Sequence, residues 1–506
     1  MAGSLAARGV QYIFGLPGGE IVAFIDASRR AGIRFLLTGH EASAAWMAQV
    51  VGQITGVPGV CASTLGPGAT NLVTGVANAW LDRAPLLAVT AQIPGAAMET
   101  MTHQRVPLDR LFDPITKGSF AVGSGNTAAL IEQTMDLAAA PRPGPVHISL
   151  ASDLAVQECR EQPRQATIEL PINAAPDLAP IIARLQAASR PLVLIGLGAT
   201  PSIASALRAF IDKLQAPFLV TPKAKGIVSE DHPQFAGVAS GMAIDREIVE
   251  IIKNADLIFG IGFDPVECDK TWFADVEVVS IDSASMREGR YRPIEAIGDL
   301  SDLLACLNPA PKPWTVKLPK REAHPGLSPL RLIEELRSIF PRDGIACCDV
   351  GSHKLVMGQF WRSYEPGTFF MSNGLSGMGF GVPAAIAAQL CYPQKHVIAI
   401  VGDGGMLMML HDLLMIRELG LPILIVVLSD RSLSLIRVSE ERRGFPAYGV
   451  DFNSPDFAAI AHAFGIPGRR ATSIAEVKTA AEQAITNRAP FVLDVPIDYR
   501  EYYDLV

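Results

Sequence analysis

Along this chain, short runs of β-branched and other apolar residues end in glycine-containing turns. Each is followed by about a dozen residues with apolar positions three or four apart, a strand period giving way to a helical one. The pattern predicts strands over Gln11–Phe14, Arg34–Leu37, Gly59–Ser63, Leu86–Thr90 and Val146–Ser149 in a first block. A second block holds Leu192–Ile195, Phe218–Val220, Leu257–Ile261 and Val278–Ile281, and a third Gly344–Asp349, Val397–Val401, Leu424–Leu428 and Phe491–Val495. Apolar strands alternating with helices mean parallel sheets covered on both faces. Two proline-rich polar stretches, Glu161–Pro176 and Asn308–Pro325, interrupt the rhythm and read as extended linkers. The expected fold class is therefore α/β, with three doubly wound parallel-sheet domains over 1–160, 177–307 and 326–506. The outer two share a rhythm without a residue-level repeat. Open parallel sheets bind ligands at the carboxyl ends of their strands, so candidate chemistry is sought there.

Composition narrows the function classes. At 506 residues the chain exceeds one hydrophobic core. With 49% hydrophobic and 19% charged residues it is too apolar for intrinsic disorder. Its net charge of −8 is dispersed, and no basic run exists to replace phosphate counterions, which argues against nucleic acid. The longest apolar stretches, such as Leu421–Leu428, fall well short of a membrane span. Met1–Val10 has no sustained apolar run, so no secretory signal is expected. The seven cysteines are scattered without a CxxC pair, which suits a reducing cytoplasm better than a disulfide framework or zinc site. The 44 glycines and 37 prolines cluster at a few turns and in the linkers.

One cluster stands out. The strand Val397–Val401 runs into Gly402-Asp403-Gly404-Gly405, a helical segment Met406–Leu419 follows, Gly420 stops it, and a second strand ends at Ser429-Asp430. A strand–helix–strand unit brings the chain back beside its start, so Asp403 and Asp430 should emerge at one carboxyl edge. Two carboxylates beside a glycine-flanked helix N-terminus can hold Mg²⁺, with the backbone carbonyl of Ser432, phosphate oxygens and a water completing its oxygen shell. Taken singly, Asp403 could cap a helix and Asp430 could open a turn.

With its 27-residue interval from Asp403 to Asp430, this region resembles the thiamine-diphosphate enzymes of the acetolactate synthase group. Their signature is GDG, some two dozen residues, then Asn-Asn. Here Ser429-Asp430 replaces the Asn pair; the catabolic, flavin-independent members also carry aspartate at the second position. In that family a buried glutamate hydrogen-bonds the aminopyrimidine and promotes loss of the thiazolium C2 proton. The segment Thr38-Gly39-His40-Glu41 resembles the one that carries it, which makes Glu41 the implied activator. A zincin HExxH is excluded because Ala44 stands where the second histidine belongs; a solvated glutamate opening a helix is the plainer alternative.

Further segments match. Those containing Pro17 and Gly18, and Pro67 and Asn71, resemble the loops that pack on the aminopyrimidine. Gly351, Ser352 and His353 resemble a diphosphate-binding turn, joined by Gly402, Gly404 and Gly405. In the strip Met371–Gly379, Ser376 and Met378 are implied cofactor contacts, Met378 standing 25 residues before Asp403. Thr102-His103-Gln104 resembles a catabolic segment and makes His103 and Gln104 candidates for binding substrate carboxylate or carbonyl oxygens. So does Gly262-Phe263-Asp264-Pro265-Val266-Glu267, a middle-domain turn. The tryptophan that biosynthetic synthases place nine residues after the second metal position is absent, Ser439 standing there, so FAD is not expected.

The resemblance implies pyrimidine-binding, central and diphosphate-binding domains, thiamine diphosphate and Mg²⁺ as cofactors, and a homodimer or homotetramer with the cofactor at a subunit interface. The implied reaction decarboxylates pyruvate and joins the remainder to a second pyruvate, giving 2-acetolactate and CO₂. Asn78-Ala79-Trp80-Leu81-Asp82-Arg83 also resembles benzaldehyde lyase-like members, so another 2-keto acid decarboxylase or an acyloin lyase or carboligase is the alternative. Two rivals lie further off. One is a non-catalytic paralogue; the other is an oxidoreductase suggested by Gly196-Leu197-Gly198-Ala199, which would bind NAD.

Overall fold

Strands buried on both faces lose the in–out alternation of half-exposed ones and read as continuous apolar runs; Ile423–Ser429 is buried at every position. The computed structural model describes residues 1–123, 125, 127–157, 176–268, 275–316, 318 and 321–505, and the first expected linker lies, but for Pro176, outside them. The described strands form three six-stranded sheets with parallel pairing.

The first sheet comprises β1 (Tyr12–Leu16), β2 (Arg34–Leu37), β3 (Gly59–Ser63), β4 (Leu86–Gln92), β5 (Ser119–Ala121) and β6 (Pro145–Ala151), in the order β2-β1-β3-β4-β6-β5. The second comprises β7 (Pro191–Ile195), β8 (Phe218–Val220), β9 (Phe235–Val238), β10 (Leu257–Ile261), β11 (Val278–Asp282) and β12 (Ile294–Ile297), ordered β12-β11-β10-β7-β8-β9. The third comprises β13 (Ile345–Cys348), β14 (Phe369–Met371), β15 (Val397–Gly402), β16 (Ile423–Ser429), β17 (Gly468–Arg470) and β18 (Phe491–Pro496), ordered β14-β13-β15-β16-β18-β17. The outer sheets thus share one strand order, a kinship that residue identities did not reveal.

Two compact units emerge: Met1–Pro171 with Gly374–Pro393 and Met409–Leu421, and Ile172–Asn373 with Gln394–Met408 and Pro422–Val506. In the first, Ile13, Val60, Leu87, Val89 and Ile148 form the core over one sheet face. In the second, separate apolar clusters serve the central sheet (Val193, Ile195, Phe218, Phe259) and the third sheet (Ile398, Ile400, Val426, Leu493). Among the described residues no helix is long and apolar enough to cross a membrane.

Two expectations need correction. The helix expected over Met406–Leu419 is two helices, Asp403–Met408 and Asp412–Leu419. Between them the amides of Asp412, Leu413 and Leu414 reach back only three residues, to Met409, Leu410 and His411, a tighter winding that breaks the α ladder. The second linker is not a free tether. Lys312 Nζ donates to the carbonyls of Gln186 and Ala188, Trp314 Nε1 to that of Pro191, and Arg321 forks onto Glu247.

Candidate active site

In the first unit, three neighbouring strands deliver their following loops to one carboxyl edge: Pro17 and Gly18 after β1, His40 and Glu41 after β2, Gly66–Asn71 after β3. The helix Glu41–Thr55 starts where it does because His40 Nδ1 accepts the Ala42 N–H (3.0 Å) while its backbone is still extended, a side-chain N-cap. Glu41, the first helical residue, is 3% exposed. Its Oε2 accepts from Asn71 Nδ2 (3.0 Å), and it forms no ion pair among the described residues. A methyl group on Gly68 would stand 3.2 Å from Glu41 Oε1 and 2.9 Å from Thr64, so the glycine lets the loop lie against the acid.

Pro17 is exposed. Gly18 fits against Thr64, whose Oγ1 donates to Glu20 Oε2 (2.7 Å). His103 and Gln104 lie on an exposed turn, and Gln104 has a φ of +56°, uncommon for a residue with a side chain. Its Cβ would be 2.8 Å from one built on Gly66, so the structure brings Gln104 to the loop carrying Pro67 and Asn71. Ser376 is exposed with a φ of +57°, and Met378 is half-buried. Held non-glycine residues in this region collect at functional sites.

The strip bearing Ser376 and Met378 is anchored by Asp82, which sequence reading singled out only as part of the Asn78–Arg83 segment, and by Gln49, which it passed over. Buried Asp82 accepts from Gln49 Nε2 (2.9 Å), Asn78 Nδ2 (3.1 Å) and the Gly374 amide (3.0 Å). Helical spacing of Asn78 and Asp82 was the available signal. Asp82→Ala should cost about 2–4 kcal/mol, since it removes the acceptor of three donors, two of them on buried side chains; a thermal melt with a lowered Tm checks this, and Asp82→Asn should recover part of the loss.

Ser43, His411 and Asp412 also meet. Ser43 Oγ donates to Asp412 Oδ2 (2.9 Å), and His411 Nε2 lies 3.2 Å from Ser43 and 3.3 Å from Asp412 Oδ1. Burial disfavours its charge, yet Asp412 holds the imidazole above its ordinary value. One ring nitrogen faces both partners, whereas a hydrolytic triad uses opposite nitrogens. This cluster is a brace.

The second unit holds the other candidates. Register pairs Gly402 with Leu428, so Asp403 and Asp430 leave neighbouring strands at one edge. Asp403 Oδ1 accepts the Gly404 amide and Oδ2 the Arg431 amide (both 2.9 Å). Arg431 has a φ of +61°. Asp430 Oδ1 accepts the Ser432 amide (3.2 Å) and Oδ2 the Ser434 hydroxyl (2.6 Å). Burial pushes the Asp430 carboxyl up to about 7, with the Ser434 hydrogen bond opposing and the Asp403 charge adding. Burial also raises Asp403. Asp403 is buried and Asp430 half-buried, and the Asp403 charge disfavours ionisation of Asp430, so a divalent cation held by both would favour their charged forms.

Gly351 caps the helix Ser352–Phe360, with Ser352 and His353 in its first turn. Methyl groups on Gly351 and Gly402 would approach the His353 ring to 2.8 and 3.1 Å, so both glycines make room for it. Burial takes the imidazole down to about 4, leaving it neutral. Ser352 Oγ, His353 Nε2 and Ser432 Oγ are buried without a hydrogen-bond partner. Orphaned buried polar atoms call for a ligand, and this donor set beside Gly404 and Gly405 fits a diphosphate. Among the described residues no group of three or more His, Cys, Asp or Glu is placed to hold a metal ion. The aspartate pair therefore needs backbone and ligand oxygens to complete a shell.

Comparison with known proteins matches these regions. Residues 1–110 match the thiamine pyrophosphate enzyme N-terminal TPP binding domain, 178–307 the central domain and 349–495 the C-terminal TPP binding domain. The acetolactate synthase of Bacillus subtilis (strain 168) is 31% identical, across 99% of this chain and 93% of its own length. The acetolactate synthase isozyme 2 large subunit of Escherichia coli (strain K12) is 32% identical, across 98% and 95%. The catabolic acetolactate synthase of Raoultella terrigena is 30% identical, across 98% and 94%.

Proposed function

The chain belongs to the thiamine pyrophosphate enzymes, and we propose that it decarboxylates pyruvate and joins the remainder to a second pyruvate, giving 2-acetolactate and CO₂. The observation that carries this reading is Glu41: a buried acid, steadied by a neutral amide, at the edge where two glycine loops meet.

Thiamine diphosphate would supply, when bound, a thiazolium able to accept the electron pair left behind as CO₂ departs. The protein's work is to bind, orient and move protons. Glu41, buried and without an ion pair among the described residues, would hydrogen-bond the aminopyrimidine through a carboxyl oxygen and pass a proton there. Asn71 fixes the rotamer of that acid, and Pro17, Gly18 and Pro67 shape the ring's pocket. Ser376 and Met378 would add further contacts to the cofactor. Gly351, Ser352, His353, Gly402, Gly404 and Gly405 would hold the diphosphate. Asp403, Asp430 and the Ser432 carbonyl hold Mg²⁺ with the phosphate oxygens. His103 and Gln104 receive the substrate carboxylate or carbonyl. The pyrimidine half belongs to one compact unit and the diphosphate half to the other. Two copies of the chain form the minimal enzyme, each lending one half of a shared site, in a cytoplasmic homodimer or homotetramer. Its domains span 1–160, 177–307 and 326–506.

Asn78 and Asp82, within the segment that suggested a lyase, are bound up in the buried anchor. Incubating the enzyme with pyruvate, thiamine diphosphate and Mg²⁺, then acidifying, should yield acetoin from acetolactate. No acetoin, with turnover of another 2-keto acid, would overturn the substrate.

A further inference from the structure

The central sheet has a property the reaction does not use. Read from β9 to β12, its strands follow the order 3-2-1-4-5-6, that of dinucleotide-binding domains. In such domains the pyrophosphate sits at the switch point, here between β7 and β10, on amides of a glycine turn. The turn is present as Gly196-Leu197-Gly198-Ala199, immediately after β7.

That seat is taken. Glu267, 3% exposed, sends Oε2 to the Leu197 amide (2.9 Å) and the Thr221 hydroxyl (2.5 Å), and Oε1 to the Lys223 amide (3.2 Å). Both oxygens act as acceptors, as phosphate oxygens would. The backbones on either side of the crevice are also joined: Gly198 N–H donates to the Gly262 carbonyl (2.8 Å), and Gly196 N–H to that of Ile261 (3.0 Å). A methyl group on Gly196 would fall 2.5 Å from Phe263 Cα, so no room separates the two loops. The rest of the fingerprint has gone. Pro201 stands where the third glycine would pack helix on strand. The end of β8, where an acid would hold a ribose, carries Thr221-Pro222, and Thr221 is already bound to Glu267.

We infer that the Glu267 carboxylate is the resident anion of this crevice, an internal substitute for a nucleotide phosphate that closes the central domain to nicotinamide and flavin dinucleotides. The closure uses Glu267 from the turn Gly262–Glu267 and donors from the loops after β7 and β8, so it ties three strand ends together. Burial raises the Glu267 carboxyl to about 7, its three donors opposing, so the acid is best studied at pH 8, where it is charged.

The test uses the holoenzyme at pH 8 with saturating thiamine diphosphate and Mg²⁺, so that the catalytic site is filled. ADP, NAD⁺ and FAD are titrated calorimetrically, and hydrogen exchange follows the peptides spanning 196–199 and 222–224. The wild type should show no saturable binding up to about 1 mM, with the Leu197 and Lys223 amides protected and unchanged by any nucleotide. Glu267→Ala should free those amides, raising exchange at the two peptides at least about tenfold, while the joined backbones still exclude a dinucleotide. A nucleotide that binds the wild type and slows exchange at those peptides overturns the inference. So does a folded Glu267→Ala enzyme whose 196–199 and 222–224 peptides exchange as slowly as those of the wild type. Should that variant not fold, the wild-type exchange and titration decide the matter alone. None of these readouts depends on which 2-keto acid the enzyme prefers.

Discussion

Replacing Glu41 with glutamine is expected to lower turnover of pyruvate by about 10²–10³-fold while leaving KM within a few-fold, the scale of a lost proton-transfer group. The amide keeps the shape and the reach toward Asn71 but cannot share a proton at that oxygen. Glu41 is a buried acid with no cationic partner, so neutralising it removes a desolvation cost and should hold or raise Tm. A fall in kcat with an intact Tm separates chemistry from folding. An unchanged kcat would remove Glu41 from the mechanism.

The second large effect belongs to the aspartate pair. Asp430→Asn is expected to weaken Mg²⁺-dependent retention of thiamine diphosphate at least about 100-fold, near 2.7 kcal/mol. Its signature has two signs. Without metal the variant should melt no lower than wild type, because a half-buried acid that the Asp403 charge disfavours has been neutralised. With Mg²⁺ and cofactor, the rise in Tm that a ligand confers on the folded state should largely vanish. Thermal melts of both proteins, with and without the two ligands, read this directly. A variant that keeps the full ligand-induced rise would show that Asp430 is only a turn residue tied to Ser432 and Ser434.

Much of this arrangement was legible in the residues, and the parts that were not share physical causes. Interior strands such as β15 and β16 announce themselves because both faces are buried. The strands that escaped, β5, β9, β12, β14 and β17, all lie at sheet edges and run three or four residues. Three or four residues give too short a run to read, even where, as in Phe369–Met371, every position is buried. The break at Met409–His411 escaped because Met406–Leu419 keeps a helical apolar rhythm across it, while the interruption lies in local winding. The neighbourhood of Asp403 and Asp430 follows from strand topology and was readable. The anchoring of Gly374 by Asp82 joins residues far apart in sequence, and no spacing rule signals it. Gly196–Ala199 illustrates the opposite error. A motif read alone suggests a nucleotide, while the acid that fills its place comes from a turn some seventy residues later.

The most direct test of the account is mass spectrometry of the products formed from [2-¹³C]pyruvate with thiamine diphosphate and Mg²⁺. The account predicts 2-acetolactate carrying two labelled carbons, with one CO₂ released for each molecule formed. Acetaldehyde as the sole product, or no consumption of pyruvate under conditions where another 2-keto acid turns over, would contradict it.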